Sequence, residues 1–317
     1  MKWVKSYRNL LSLVAALATV FVVFSILVPG SFPTVRNAET LARQSSITSL
    51  VAIGMTFVII CGGIDLSVGS VAALAGVVIA FGLKSGLNPW LSAVMGILAG
   101  TLCGLVNGTI ITRFKMGPFI VTLGTLLAVR GVAKGFAHEQ KIDAPDSPLG
   151  QLLSVLAKPD RWQLVPPGVW LTVALAIGAG WVLKSTRFGR HVVAVGSNEA
   201  AARLCGVPIE RVKLAVYALS GVFAGLAGLM FFSRLTVGDP TIAAGLELDA
   251  IAAAVIGGAS LSGGEGSIAG TILGAFIMVT LRSGASQYGL PNWVQEIVTG
   301  TIIVLSVGLD KVRRREG

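Results

Sequence analysis

Charged side chains are scarce in this chain of 317 residues, at 13%, whereas soluble domains carry about 25%. Hydrophobic residues make up 54% of the chain, and the mean hydropathy is +0.81. This composition excludes an ordinary soluble enzyme and indicates a membrane protein. The Gly-Lys dipeptide of a phosphate-binding loop, Gly-x4-Gly-Lys-Ser/Thr, occurs nowhere. The chain therefore cannot form an ATPase domain of that type.

Histidine and cysteine are almost missing. The two histidines, His138 and His191, and the three cysteines, Cys61, Cys103 and Cys205, have no spacing typical of a metal site. The cysteines also suggest no disulfide framework. Since no nucleophile–base pair and no His-Glu-x-x-His motif is present, an intramembrane enzyme is disfavoured. We therefore predict no catalytic residue and no metal ligand.

Long apolar stretches dominate the chain. A bilayer-spanning helix needs about 20 such residues, and helices are favoured in lipid because their backbone groups pair internally. We predict an all-α polytopic membrane protein with about ten transmembrane helices. The stretches are 10–28, 46–62, 66–83, 90–112, 118–134, 166–183, 214–232, 248–262, 267–282 and 292–309. The pair 248–262 and 267–282 is short and fits either two crossings or a re-entrant pair.

Positive charge is unevenly distributed between the two sides of this arrangement. With the N-terminus in the cytoplasm, most of the 25 lysines and arginines lie on the cytoplasmic side, as the positive-inside rule requires. Both termini are then cytoplasmic, and the net charge of +10 needs no nucleic-acid partner. Membrane lipid is the expected surrounding.

Glycine is abundant, with 40 residues, and one series, Gly96, Gly100, Gly104 and Gly108, recurs every fourth position. Residues with this spacing share a helix face. In lipid, small residues on such a face allow helices to approach closely. The series therefore predicts a tight helix–helix contact.

A second glycine cluster lies in GGASLSGGEGSIAG, residues 257–270. Its LSGGE string differs by one residue from the LSGGQ signature of ABC-type ATPases, but the missing phosphate loop makes the match coincidental. Because glycine adopts backbone φ angles that are unfavourable for other residues, we predict a turn that contains Gly257, Gly258, Gly263 and Gly264. A weak echo, GGIDLSVGS at 62–70, fits either an internal duplication or chance convergence.

Four long segments carry a resemblance to a known family, and they occur in the order expected for it. They are GMTFVIICGGIDLSVGSVAALAG (54–76), GPFIVTLGTLLAVRG (117–131), FGRHVVAVGSNEAAARLCGVPIERVK (188–213) and LDAIAAAVIGGASLSGGEGSIAGTILGA (248–275). They resemble the permeases of ribose/xylose/arabinose-type ABC transporters, in the branched-chain amino acid/sugar permease superfamily. The resemblance extends over roughly 35–309.

This resemblance implies one transmembrane permease domain, 1–317, with the larger, vitamin B12-importer-like fold of ABC importers. It implies import of a monosaccharide such as ribose, xylose, arabinose or galactose across the bacterial inner (plasma) membrane by alternating access. The implied partners are an ABC ATPase subunit, a periplasmic or lipoprotein sugar-binding protein, and a second permease chain in a homo- or heterodimer. ATP and Mg would bind to the ATPase, so this chain would be non-catalytic and hold no cofactor.

The polar segment 184–213 is predicted to be cytoplasmic and to contain a short helix. Ser197 or Asn198 is placed to cap it, and Glu199 suits the positive end of its dipole. The resemblance makes this helix a coupling helix for the ATPase, whereas the residues alone also fit an ordinary loop helix. The wider importer motif, Glu-Ala-Ala-x3-Gly, is matched loosely, because the glycine comes one residue late. The coupling residues are Ser197, Asn198, Glu199, Ala200, Ala201, Arg203, Gly206 and Pro208.

Asp65 is the one acid between two early apolar stretches. An intramembrane acid costs about 2.5–3.5 kcal/mol at mid-bilayer and needs a reason. It either caps a helix starting at Leu66 or contributes to a gate or sugar path. Polar residues inside the stretches fit either a path or links between helices. The path candidates are Asp65, Ser67, Ser70, Asn107, Thr122 and Thr125.

The long segment 135–165 is predicted to be an ordered external loop, since proline and aspartate favour turns. It could dock the binding protein or be passive. The alternative to an ABC permease is an ATP-independent secondary sugar carrier or facilitator. The helical segment 184–213 and the shortage of intramembrane acids argue against that alternative.

Overall fold

The computed structural model describes residues 2–154 and 165–315. Within them the chain forms twelve α-helices and one pair of two-residue strands, β1 (Ile142–Asp143) and β2 (Val237–Gly238). The helices are α1 (Lys2–Leu27), α2 (Val35–Ile60), α3 (Val68–Lys84), α4 (Pro89–Arg113), α5 (Pro118–Phe136), α6 (Pro167–Ser185), α7 (Arg187–Ser197), α8 (Glu199–Leu204), α9 (Ile209–Leu235), α10 (Leu246–Ile256), α11 (Ile268–Gln287) and α12 (Asn292–Arg315).

Seven of the described helices are long and apolar enough to cross a membrane: α1, α2, α4, α5, α6, α9 and α11. The apolar α3 is shorter, with 17 residues. Large hydrophobic side chains such as Leu102, Leu127 and Ile177 are exposed on the outside of this bundle, which suits a lipid solvent. The prediction of an all-α polytopic membrane protein is confirmed. The count of ten spans and the importer subclass stay predictions.

The stretch 248–262 does not form a full crossing. Its helix, α10, has 11 residues and rises about 16 Å, little more than half of a hydrocarbon core of about 30 Å. It ends at Gly257, and Gly258 adopts a φ of +92°. The next stretch forms α11, which has 20 residues and packs against α10.

Helix starts follow local chemistry more than hydropathy. The side chain of Thr34 accepts a hydrogen bond from the Asn37 N–H, and α2 therefore begins at Val35, eleven residues before the apolar stretch 46–62. The polar residues in its first turns lower hydropathy without ending the helix. Asn88 likewise caps α4, where Pro89 occupies the first helical position.

The core lies around α2 and α9, whereas α1 is at the periphery. The contact between α4 and α9 is made by glycine. A methyl group at Gly104 would overlap the Tyr217 carbonyl oxygen, and one at Gly221 would overlap the Gly100 carbonyl oxygen. The glycine series on α4 therefore forms the predicted close contact, which brings two backbones together.

The two ends of the bundle differ in structure. The "α8 end" contains α7 and α8, the last residues of α2 and α4, and the first residues of α5 and α9. The "loop end" contains 137–154 and 236–245. There β1 pairs antiparallel with β2, the Arg43 Nε donates to the Leu153 carbonyl at 2.6 Å, and the Leu153 N–H donates to the Ser233 Oγ at 2.7 Å. The described part of the segment 135–165 is thus tied to the helices; residues 155–164 lie outside the described residues.

Candidate functional site

The segment 184–213 contains two consecutive helices, α7 and α8, with Asn198 between them, and it includes the end of α6 and the beginning of α9. Asn198 has an extended conformation, and its Oδ1 accepts a hydrogen bond from the Ala201 N–H at 2.9 Å. It is therefore the cap of α8, with Glu199 in the first turn as predicted. Ser197 is instead the last residue of α7, and its Oγ donates to the Val193 carbonyl. Gly206 stops α8 with a φ of +78°.

Ion pairs hold α8 against the beginning of α9. The Lys213 Nζ lies 2.7 Å from the Glu199 Oε2, and an Arg203 guanidinium nitrogen lies 2.9 Å from the Glu210 Oε1. Arg203 also approaches Glu199 at 3.6 Å within the same helix. Such exposed pairs are worth about 0.2–1 kcal/mol each. Together they fix a six-residue helix that has little core of its own.

The outer surface of α8 offers apolar contact area, of which the sequence analysis named Ala200, Ala201 and Pro208 but not Leu204. Leu204 is 90% exposed, and its neighbours Ala200, Ala201 and Pro208 are exposed as well. The signal in the sequence was a large apolar residue at the end of a short helix that otherwise contains alanine and charged residues. A cavity of about 600 Å³ lies beside α8, between it and the α4–α5 connection. It is lined by both signs of charge, including Lys115, Glu199 and Arg203.

The break between α2 and α3 is organised by Asp65, which is 2% exposed. Its Oδ1 accepts hydrogen bonds from the Ser67 N–H at 3.0 Å and the Ser67 Oγ at 2.6 Å. Its Oδ2 accepts one from the Ser220 Oγ of α9 at 2.8 Å. The predicted helix start at Leu66 is wrong, because α3 begins at Val68 with Ser67 as its cap residue. Asp65 closes a turn before the helix and links it to α9.

Two more of the predicted path residues join the same break. The Asn107 Nδ2 of α4 donates to the Ser67 Oγ at 2.9 Å, and the Thr122 Oγ1 of α5 donates to the Ile64 carbonyl at 3.1 Å. We call Asp65, Ser67, Asn107, Thr122 and Ser220 the "Asp65 network". All five side chains are buried, so in this conformation they connect helices and do not line an open path.

The remaining two path candidates are not brought into this network. Ser70 is buried on α3, and its Oγ has no hydrogen-bond partner. Thr125 bonds to carbonyls of its own helix, those of Val121 and Thr122. The Asp65 network contacts α4, α5 and α9 about 9, 6 and 16 Å from their ends at the α8 end, at 1.5 Å per residue. The break therefore lies inside the bundle.

A cavity of about 400 Å³ with both polar and apolar lining lies at the loop end, between α10, α11 and α12. Its lining side chains include Arg282, Asn292, Gln295, Glu296 and Thr299. Arg282 also forms an ion pair with the buried Asp249. Donors and acceptors of this kind suit a hydroxyl-rich solute, although none of these residues was predicted to line a path.

Asp239 fixes the connection between α9 and α10 at the loop end. Its carboxylate pairs with the Lys141 Nζ at 3.2 Å and accepts hydrogen bonds from the Thr241 N–H and Oγ1. Burial raises the pKa of Asp239, but the Thr241 hydrogen bonds and the Lys141 ammonium group outweigh it, so the net pKa lies below its usual value. The carboxylate is thus held in its charged form. The Arg130 guanidinium donates to the carbonyls of Pro240 and Ile242 in the same connection.

The predicted glycine turn joins α10 to α11. Gly257 ends α10 and packs against Gly270 at the beginning of α11. Positive φ angles occur at Gly258, Gly263 and Gly264. These angles agree with the predicted turn. Among the described residues, no group of three or more histidine, cysteine, aspartate or glutamate side chains is placed to hold a metal ion.

Comparisons with known proteins extend over nearly the whole chain. Ribose import permease protein RbsC of Escherichia coli (strain K12) is 36% identical over 312 residues, covering 98% of this chain and 95% of the relative. RbsC of Bacillus subtilis (strain 168) is 40% identical over 291 residues, covering 92% and 89%. Xylose transport system permease protein XylH of Escherichia coli (strain K12) is 35% identical, covering 96% and 92%. A family model described as branched-chain amino acid transport system / permease component matches residues 37–307, and the chain therefore belongs to this permease family.

Proposed function

We propose that this chain is the membrane-spanning permease subunit of an ATP-driven ABC importer for a monosaccharide. The observation that carries the proposal is α8, a short capped helix that ion pairs hold at one end of the bundle. It occurs in a chain related over nearly its full length to ribose and xylose permeases. The helix and the relatedness together favour a coupling helix over an ordinary loop helix.

The proposal assigns the α8 end to the cytoplasm and the loop end to the outside. The even number of predicted crossings then leaves both termini in the cytoplasm. In this orientation Leu204 and the exposed alanines of α8 contact a groove of the ABC ATPase, which holds ATP and Mg. The loop end, which is tied down through Leu153 and Asp239, receives the sugar-binding protein.

A second permease chain, identical or homologous, completes the path in this proposal. Exposed apolar side chains such as Phe119, Ile120 and Leu123 on α5 are available for a partner chain or for lipid. Alternating access then means that movement of α8 rearranges the helices around the Asp65 network. The sugar meets polar groups weak enough to release it, a requirement of any conducting path. The cavity at the loop end, whose polar side chains include Asn292 and Glu296, is a candidate first contact.

A double-mutant cycle at Glu199 and Lys213 tests the role of α8. We expect Glu199→Gln and Lys213→Gln each to lower sugar uptake up to about fivefold, because each loses the Glu199–Lys213 ion pair, worth about 0.2–1 kcal/mol. Glu199→Gln also loses the longer contact with Arg203, so its loss of uptake should be at least as large as that of Lys213→Gln. The double variant should be no worse than Glu199→Gln, since that single variant already removes the contact that Lys213→Gln removes. Uptake by intact cells and co-purification of the ATPase are the measurements.

Arg211→Gln is the matched control, because it removes an exposed positive charge from the same segment without touching the Glu199–Lys213 pair. It should transport like the wild type. Wild-type uptake and ATPase co-purification in all three Glu199 and Lys213 variants would contradict the coupling role. Additive losses of uptake would instead mean that the ATPase interacts directly with the charge of Glu199.

A further inference from the structure

Three segments that are far apart in the sequence meet backbone to backbone at the α8 end. The Gly264 N–H, in the turn between α10 and α11, donates a hydrogen bond of 2.8 Å to the Ile60 carbonyl, the last residue of α2. Gly196 and Ser197, the last residues of α7, lie against both. We call Ile60, Gly196, Ser197, Gly263 and Gly264 the "glycine junction".

The three glycines of the glycine junction have no room for side chains. A methyl group at Gly196 would overlap the Ile60 carbonyl oxygen and lie 2.7 Å from the Gly264 nitrogen. One at Gly263 would overlap the Gly196 carbonyl oxygen, and one at Gly264 would overlap the Ser197 Oγ. The contacts of Gly196 and Gly263 are thus made by main chains, whereas Gly264 packs against the main chain and the short side chain of Ser197. Packed protein interiors are poorly compressible and transmit displacement.

Each segment of the junction is continuous with a different part of the bundle. Ser197 is followed by Asn198, which caps α8. The break between α2 and α3 begins directly after Ile60. Within it, Asp65 accepts a hydrogen bond from Ser220 of α9. Gly263 and Gly264 lie in the turn that joins the short α10 to α11, and this turn is the second helix break. A displacement of α8 therefore meets both helix breaks at one point.

We propose that the glycine junction transmits the movement of α8 to both helix breaks at once, and that Gly196 is the positioning residue on which this depends. The proposal rests on the proposed function, in which α8 receives the ATPase. It gives the two similar motifs, GGIDLSVGS and GGASLSGGEGS, a shared mechanical role. Each motif forms a helix break that adjoins or contains part of this contact.

Gly196→Ala tests the proposal in the complete complex of permease, ATPase and binding protein. Its methyl group forces Ile60 and Gly264 away from α7, so that α8 moves without the breaks. We expect the ATPase to co-purify and to hydrolyse ATP, whereas sugar uptake falls by about 5–150-fold, the range of typical coupling energies. Stimulation of ATP hydrolysis by sugar-loaded binding protein should also be lost. The control is Gly178→Ala on α6, where an added methyl group meets no atom within 4 Å.

Hydrogen exchange in the wild-type complex gives a second test that does not depend on a variant folding. Peptides that cover 197–206, 61–67 and 258–266 are compared between the nucleotide-free and vanadate-trapped states. We expect protection to change in all three together. A change confined to 197–206, or normal coupling in Gly196→Ala, would overturn the proposal. No change at 197–206 when the ATPase is added would instead contradict the proposed function itself.

Discussion

Gly104→Ala is expected to destabilise the permease by about 1–3 kcal/mol, the usual cost of overpacking a filled contact. The substitution should be harmful although alanine is the better helix former by about 1 kcal/mol. The reason is that the methyl group would overlap the Tyr217 carbonyl oxygen and lie 3.1 Å from the Gly221 Cα. Two helix backbones, α4 and α9, would have to separate. The thermal midpoint of the purified protein in detergent measures the effect.

Gly178→Ala on α6 provides a control with the opposite sign. An alanine there has open space around its methyl group, so only the gain in helix propensity remains. We expect its midpoint to equal or exceed that of the wild type. If Gly104→Ala were as stable as Gly178→Ala, the close contact of α4 with α9 would not exist as described.

Asp65→Ala is expected to lower both stability and uptake strongly. The carboxylate accepts three hydrogen bonds, two from Ser67 and one from Ser220, and its removal leaves these buried donors without an acceptor. An unsatisfied buried group costs about 1–3 kcal/mol. We expect the thermal midpoint to fall and uptake to drop at least about tenfold, which corresponds to about 1.4 kcal/mol.

Two milder variants separate a structural role of Asp65 from a direct role in the sugar path. Ser220→Ala removes one hydrogen bond and should cost about 1 kcal/mol. Asp65→Asn keeps an oxygen for the Ser67 N–H, so a structural role predicts intermediate stability and intermediate uptake. A stable Asp65→Asn protein with uptake as low as Asp65→Ala would show that the negative charge itself acts in a gate or path.

Local features of the site could be predicted from the sequence because their causes are local. The signals that start and end α8 lie within nine residues, at Asn198, Glu199 and Gly206. The structure has the helix between these signals. The same holds for the glycine series on α4, since a spacing of four residues places its members on one face. Hydropathy located the apolar part of α2 but did not locate its first residue, because the position of that residue is set by the cap at Thr34.

The contacts between distant segments could not be predicted in this way. The acceptor role of Asp65 for Ser67 is local, whereas its bond to Ser220 joins residues 155 positions apart. The echo between 62–70 and 257–267 suggested similar turns, but nothing in it indicated that Ile60 and Gly264 share a hydrogen bond. Likewise, Arg282 and Glu296 look like separate interfacial charges until the fold places them around one cavity.

The measurement that tests the central claim most directly is uptake of radiolabelled pentoses and hexoses into proteoliposomes. The chain is reconstituted alone, and then with its ATPase, its sugar-binding protein and ATP at the face that carries α8. We predict uptake of one or a few monosaccharides only in the complete system, and none without ATP. Uptake by the chain alone, at a rate that ATP and the ATPase leave unchanged, would contradict the account and make the protein a self-sufficient carrier.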